Sequence, residues 1–388
     1  MGHFMSMQKL IAGGGAIEVA LFQQAGADPY TASAERDAQI AEVADIVASF
    51  VTGANSTLDI AIYDFRLDGV AREKLKEALT GRAAAGVAIR ILFDAAAPVD
   101  RGDGDSGNDL APAGSAEFLR GLALQAETKG ITGRQQRRYS KNALMHQKYI
   151  IRDAMSPGAA VLCGSTNFTN DAFGLQENNI LILRSHDLSS YYAADFADLW
   201  DHGEILPSSG FEDTATVAIG GVQVTVDFAP GQGQSIIREA VQAIDAAQER
   251  ITIASMLITS GPVLAALSEA LDRGLPVEGV CDGTQMAASM AQLQESGVGQ
   301  DRIAAWAKLQ PHLAQKQTVK YAPDAPHDFM HIKALVADNT VVTGSFNFSN
   351  SARGNAENLL IIRDEDLAGG YRAYIQSLIA RYGGSAGK

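Results

Sequence analysis

Two stretches of this chain carry the same reactive residues in the same order. The first reads His146, Lys148 and Asp153, then Gly164-Ser165-Thr166-Asn167, then Glu177. The second reads His331, Lys333 and Asp338, then Gly344-Ser345-Phe346-Asn347, then Glu357. Histidine to lysine is two residues, lysine to aspartate five and asparagine to glutamate ten in both copies; only the stretch from aspartate to glycine differs, by five residues. Each copy thus supplies an imidazole, an ammonium, an amide and a hydroxyl. That set suits phosphodiester chemistry. Ammoniums and amides hold nonbridging oxygens and stabilise the charge added in the transition state. One imidazole can attack phosphorus while the opposite one protonates the leaving oxygen. Glu177 and Glu357 suit the task of holding the imidazole tautomers, as the third member of a triad does. No metal or other cofactor is called for, and no cluster of His, Cys and carboxylates stands at ligand spacing.

These residues need elements that aim them at one point. Alternation along a strand puts His146 and Lys148 on one face, and likewise His331 and Lys333. Asp338-Asn339 reads as a two-residue hairpin turn. The first copy has a longer turn through Ser156-Pro157-Gly158, so both aspartates read as structural. After the return strand, Ser165 with Asn167 and Ser345 with Asn347 share faces, and hairpin pairing is expected to set each asparagine beside its own histidine and lysine. The repeat reaches further. Ile17–Phe22 resembles Val222–Phe228, each alternating like a half-buried strand and each followed by a helical stripe: Ile40, Val43, Val47 and Phe50, then Ile237, Val241 and Ile244. Second strands at Leu58–Tyr63 and Ile251–Met256 precede helices ended by Gly86 and Gly274, with third strands at Val87–Asp94 and Val277–Asp282. Strands alternating with amphipathic helices predict a layered α/β fold. Pro207-Ser208-Ser209-Gly210 breaks the pattern, so the chain divides into halves 1–206 and 207–388.

The doubled HxKxxxxD and GSxN pattern resembles the phospholipase D superfamily across both halves. The resemblance implies a duplicated α/β/α/β/α sandwich with pseudo-two-fold symmetry and an active site between the halves. It further implies a metal-independent, two-step reaction through a phosphohistidine. By that resemblance His146 is the nucleophile and His331 the acid and base. Lys148, Lys333, Asn167 and Asn347 become phosphate ligands, Ser165 and Ser345 contact substrate, and Glu177 and Glu357 support the histidines.

The substrate is less legible. With 31 Lys and Arg against 45 Asp and Glu, the formal charge is −14, which opposes long-range attraction to a polyanion. Arg134, Arg137, Arg138 and Lys141 form a local basic run before His146, with Arg137 and Arg138 the candidates for guiding substrate, whereas the approach to His331 mixes Lys316 and Lys320 with Asp324 and Asp328. A phospholipid headgroup diester is the favoured partner, and DNA or RNA, as for an endonuclease of the same superfamily, is the alternative. A membrane-bound phospholipid synthase and a catalytically silent interaction protein fit less well. No apolar run reaches the roughly 18 residues needed to cross a bilayer, and no secretory signal is visible. The two cysteines, Cys163 and Cys281, sit in apolar runs and read as free thiols, which points to the cytoplasm. Asp100–Asp109 looks like a calcium loop but lacks its closing glutamate.

Overall fold

A computed structural model describes residues 7–95, 114–133, 143–206, 214–322 and 325–383. The basic run Arg134–Lys141, with Arg137 and Arg138, and the acidic segment Asp100–Asp109 lie outside the described residues.

Two large sheets form, one for each copy of the motif. The first orders its strands Met7–Ala12, Ile17–Phe22, Asn178–Leu183, Ala160–Gly164, Lys148–Arg152, Thr57–Ile62, Ala88–Asp94, Glu127–Gly133 and Glu204–Ile205. The second runs Ala215–Ile219, Val222–Ala229, Glu357–Arg363, Thr340–Gly344, Lys333–Ala337, Ile251–Ser255, Val277–Asp282 and Leu313–Lys316. Corresponding strands take corresponding places, which is the duplication expressed as pseudo-two-fold symmetry.

The helices fill three layers. Ala34–Thr52 packs on the outer face of the first sheet, its Ile40, Val43, Val47 and Phe50 buried as the helical spacing requires. Gly233–Ala246 and Gly261–Asp272 do the same for the second sheet. His186–His202 and Glu365–Tyr382 lie between the sheets, where Leu188, Tyr192, Phe196, Tyr371, Ile375 and Leu378 join the inner faces of both halves in one apolar core. The outcome is the expected α/β/α/β/α sandwich. Because that core is shared, neither half buries its inner face without the other.

Local chemistry fixes the hairpins that carry the motifs. Asp338 turns the chain between Lys333–Ala337 and Thr340–Gly344 with φ +49°, and Asp153 stands at φ +53°. Asp338 accepts the backbone N–H groups of Gln248, Glu249 and Arg250; Asp153 accepts those of Asn55, Ser56 and Thr57. These bonds hold each carboxylate below its ordinary range even though burial works against them. Each aspartate thus ties its hairpin to the start of a neighbouring strand.

Candidate active site

The two histidines meet at the seam between the halves, each just before its strand begins. The His146 N–H donates to the Ala356 carbonyl at 2.9 Å, so the opposite half anchors it. Carboxylates at the ends of equivalent strands aim the preceding residues: Met145 N–H donates to Asp94 at 2.7 Å and Met330 N–H to Asp282 at 3.1 Å. Lys148 Nζ donates to the His146 carbonyl at 2.8 Å, and Lys333 Nζ makes the same bond to His331. Both histidines are 6% exposed, while Lys148 and Lys333 are 1% and 0% exposed, so ions are held here with little water to solvate them.

The contacts that orient each imidazole come from the opposite half. His146 Nδ1–H donates to Glu357 Oε2 at 2.7 Å, and His331 Nδ1–H donates to Asn178 Oδ1 at 3.0 Å. The Asn178 amide cannot be turned the other way, because its Nδ2 donates to the Ala172 carbonyl and to Gln176 Oε1, both at 3.1 Å. Its oxygen therefore faces the ring. In both histidines Nδ1 carries the fixed proton, which leaves the ring's lone pair on Nε2.

Asn178, not Glu177, is thus the counterpart of Glu357. The strand register shows why. Gly164 pairs with Ile180, whereas Gly344 pairs with Leu359, so the first copy has one residue more between its asparagine and its strand. The ten-residue spacing from Asn167 to Glu177 matches the second copy in number but not in place. Both glycines fix this register, since a Cβ on Gly164 or Gly344 would lie 2.4 Å from the carbonyl of Asn179 or Asn358. Glu177 is displaced by one position into another cluster. It accepts from Lys316 Nζ at 2.7 Å, from the Tyr382 hydroxyl at 2.6 Å and from Gln24 N–H at 3.1 Å. Its role as a histidine support is corrected to a buried ion pair that ties the two halves. Counting back from the apolar runs Ile180–Leu183 and Leu359–Ile362 would have found Asn178; counting forward from the asparagines does not.

Ser165 and Ser345, expected at the substrate, donate instead to Asn178 Oδ1 and Glu357 Oε2, each at 2.7 Å. They position the groups that hold the imidazoles. The Oδ1 atoms of Asn167 and Asn347 are buried without a hydrogen-bond partner. Tyr63 was not anticipated. Its ring meets His146 edge-on at 4.8 Å and lies 5.0 Å from Lys148 Nζ.

The electrostatics favour an incoming anion. Burial, then the Lys148 and Lys333 ammoniums, holds His146 well below its usual value; burial with the same two lysines does so for His331. Burial pushes Lys148 down to about 7 and takes Lys333 well below its usual value, with Glu357 opposing both shifts. Burial pushes Glu357 up to about 8 against the pull of Lys148. Two buried lysines thus stand against one carboxyl group, Glu357, which bonds His146 and not His331. No group of three or more His, Cys, Asp and Glu among the described residues could hold a metal ion.

The profile of the family described as "Cardiolipin synthase, PLD-like domain" matches residues 47–200 and 240–379. A protein named phospholipase D from Rickettsia bellii is 28% identical over 161 residues, 41% of this chain and 69% of that protein. Among solved structures, the phosphatidylserine synthase of Haemophilus influenzae covers 88% of this chain and 85% of its own at TM-score 0.57 and 14% identity, a likeness of fold. Nuc from Salmonella typhimurium, a phospholipase D family member, matches 40% of this chain and 91% of its own at 26% identity and TM-score 0.30. With the profile covering both copies of the motif, the chain belongs to the phospholipase D superfamily.

Proposed function

We propose that the chain is a metal-independent phosphodiesterase that works through a phosphohistidine at His146. The reading rests above all on the unequal support of the two imidazoles, Glu357 for one and Asn178 for the other. Attack by His146 Nε2 forms a P–N bond and places positive charge on the ring. A carboxylate 2.7 Å from Nδ1 stabilises that cation; an amide oxygen does so far less. His331 protonates the departing oxygen as the P–O bond breaks. It then takes a proton from water, whose oxygen attacks phosphorus and releases His146. Lys148, Lys333, Asn167 and Asn347 hold the nonbridging oxygens through both steps. We further propose that the functional halves divide near residue 206, with one site formed only by both.

Two substrate classes remain from the sequence. The acidic balance and the names of the relatives support a phospholipid headgroup diester, with hydrolysis or transfer to an alcohol. A group of rings beside His331 supports a nucleotide-type diester.

The test is hydrolysis of ethyl p-nitrophenyl phosphate in EDTA, with His146→Ala as control and rapid quench to trap the intermediate. Release that persists in EDTA, disappears in the variant and leaves ethyl phosphate on His146 is expected. Phosphate trapped on His331 would reverse the assignment, and loss of activity in EDTA would end the metal-independent reading. Phosphatidylethanol formed from phosphatidylcholine and ethanol would identify the lipid class.

A further inference from the structure

Three rings converge on the approach to His331. Tyr321, His327 and Phe329 belong to the segment that leads from strand Leu313–Lys316 to that histidine. Their centroids stand 5.2, 5.3 and 6.5 Å apart, and their planes lie within 25° of one another. Phe329, two residues before His331, is 7% exposed, and Tyr321 is 42% exposed. The rings are therefore stacked with offset on one another, in a group that runs from the buried site to solvent with Tyr321 at its exposed end.

The patch is held in place from both halves. His327 Nε2–H donates to the Ala322 carbonyl at 3.0 Å, and Val319 N–H donates to Asp328 at 2.8 Å. From the first half, Asp171 accepts the His327 N–H and Gln176 Nε2 donates to the His327 carbonyl, each at 2.9 Å. Across the cleft stand Tyr63, against His146, and Arg66, which is bonded through Nε to Asp64 at 2.7 Å. The Tyr321 hydroxyl lies within electrostatic reach of both Tyr63 and Arg66, so the patch faces the lip of the first half.

We propose that this patch is a stacking subsite for one nucleobase, carried by the phosphodiester that binds between His146 and His331. The proposal rests on the phosphodiesterase reading and names its substrate class as a nucleotide-type diester. Near-parallel rings offer a flat π-face, which any planar base can extend by stacking. A quaternary ammonium headgroup asks instead for rings standing around the cation, and these planes do not enclose one. The formal charge of −14 opposes a long electrostatic track along a polyanion, so recognition is confined to the base beside the reacting phosphate. A hydrogen bond already fixes the His327 ring at the middle of the stack, so little of its freedom is lost on binding.

The experiment compares two diesters with the same leaving group: the p-nitrophenyl phosphodiester of thymidine and ethyl p-nitrophenyl phosphate. Their kcat/KM ratio is the readout, because it cancels any contact made by the nitrophenyl ring. The unmodified protein should prefer the thymidine diester. Tyr321→Ala should reduce that preference about tenfold, or about 1.4 kcal/mol, within the range for one base on one aromatic ring. Tyr321→Phe should retain it. Competition by oligothymidylate would place the base on a strand and competition by thymidine monophosphate on a free nucleotide, and either supports the subsite. No preference in the unmodified protein, or a preference untouched by Tyr321→Ala, overturns the subsite and leaves the phosphodiesterase reading standing. Faster release of choline from a short-chain phosphatidylcholine together with no thymidine preference overturns it in favour of lipid. Hydrolysis of neither nitrophenyl diester would remove the phosphodiesterase reading itself.

Discussion

Glu357→Gln separates the two imidazoles most sharply. The change keeps the shape and leaves an amide oxygen able to accept from His146 Nδ1–H, so the ring's tautomer is preserved. Only charge is removed. In the phosphorylated state the ring carries positive charge about 4 Å from the carboxylate centre, worth about 4 kcal/mol at an effective dielectric of about 20. Solvent reorganisation and the compensating lysines lower that figure, so a loss of about 3–4 kcal/mol, roughly 10²- to 10³-fold in kcat, is the working value. Substrate binding should respond differently. Removing the carboxylate leaves Lys148 and Lys333 uncompensated, so an anionic diester should bind at least as well and KM should not rise. Steady-state hydrolysis of ethyl p-nitrophenyl phosphate reads both quantities. Asn178→Asp is the companion variant. A p-nitrophenolate leaving group hardly needs protonation, so giving His331 a carboxylate should change kcat by less than about tenfold. If Glu357→Gln stays within about fivefold of the unmodified protein, or if changes at Asn178 cost more, the reasoning from unequal support is wrong.

Other consequences follow from the same contacts. Glu177→Ala leaves Lys316 buried without its carboxylate and should cost about 3–5 kcal/mol in urea unfolding, while kcat per folded molecule changes by less than about twofold; a kcat loss like that of Glu357→Gln would return Glu177 to the site. Lys333→Met should abolish turnover yet raise the melting temperature by about 2 °C or more, because one ammonium against one carboxylate is better matched than two. The folded-state value of Lys333 lies below its unfolded one, so the unfolded chain holds more protons in the window between them and stability rises with pH up to about 10.5. That rise should flatten in the variant, and a fall in melting temperature would refute the charge argument. Asp338→Ala deletes the acceptor for three backbone N–H groups and puts a Cβ-bearing residue without a local partner at φ +49°, so unfolding should be easier by about 2 kcal/mol with activity per folded molecule retained.

Much of this was legible because duplication repeats its own signal. Strands Ile17–Phe22 and Val277–Asp282 have the expected ends, and Gly86 and Gly274 stop their helices at φ +87° and +78°. Those features rest on periodicity and on backbone conformations that few residues adopt. The placement of Glu177 was misread because spacing along a chain is not spacing in a sheet. One extra residue near Asn170–Gly174 is absorbed by the short helix there, and the ladder resets at Gly164 against Ile180. The serines were misread for a related reason: a hydroxyl on the right face still donates to whichever acceptor packing supplies. Nor could sequence reveal that each imidazole is served from the opposite half, since that depends on how two sheets dock through helices His186–His202 and Glu365–Tyr382.

A two-fold site faces a difficulty that its symmetry cannot solve. The proposed reaction asks its two histidines for opposite states at one moment: one neutral to attack, the other protonated to release the leaving group. Identical supports would give both rings the same preference and leave substrate alone to break the tie. Here the difference is built into one position of the repeat. Glu357 favours its imidazole when the ring becomes cationic on phosphorylation. Asn178 fixes the same Nδ1–H tautomer in the other ring yet adds no charge, so the imidazolium of His331 gives up its proton readily. The same exchange of carboxylate for amide leaves the lysine pair one negative charge short, and the diester supplies it. On the proposed mechanism a single asymmetric position therefore does two things: it gives the histidines different roles, and it makes the site electrostatically complete only when substrate is bound.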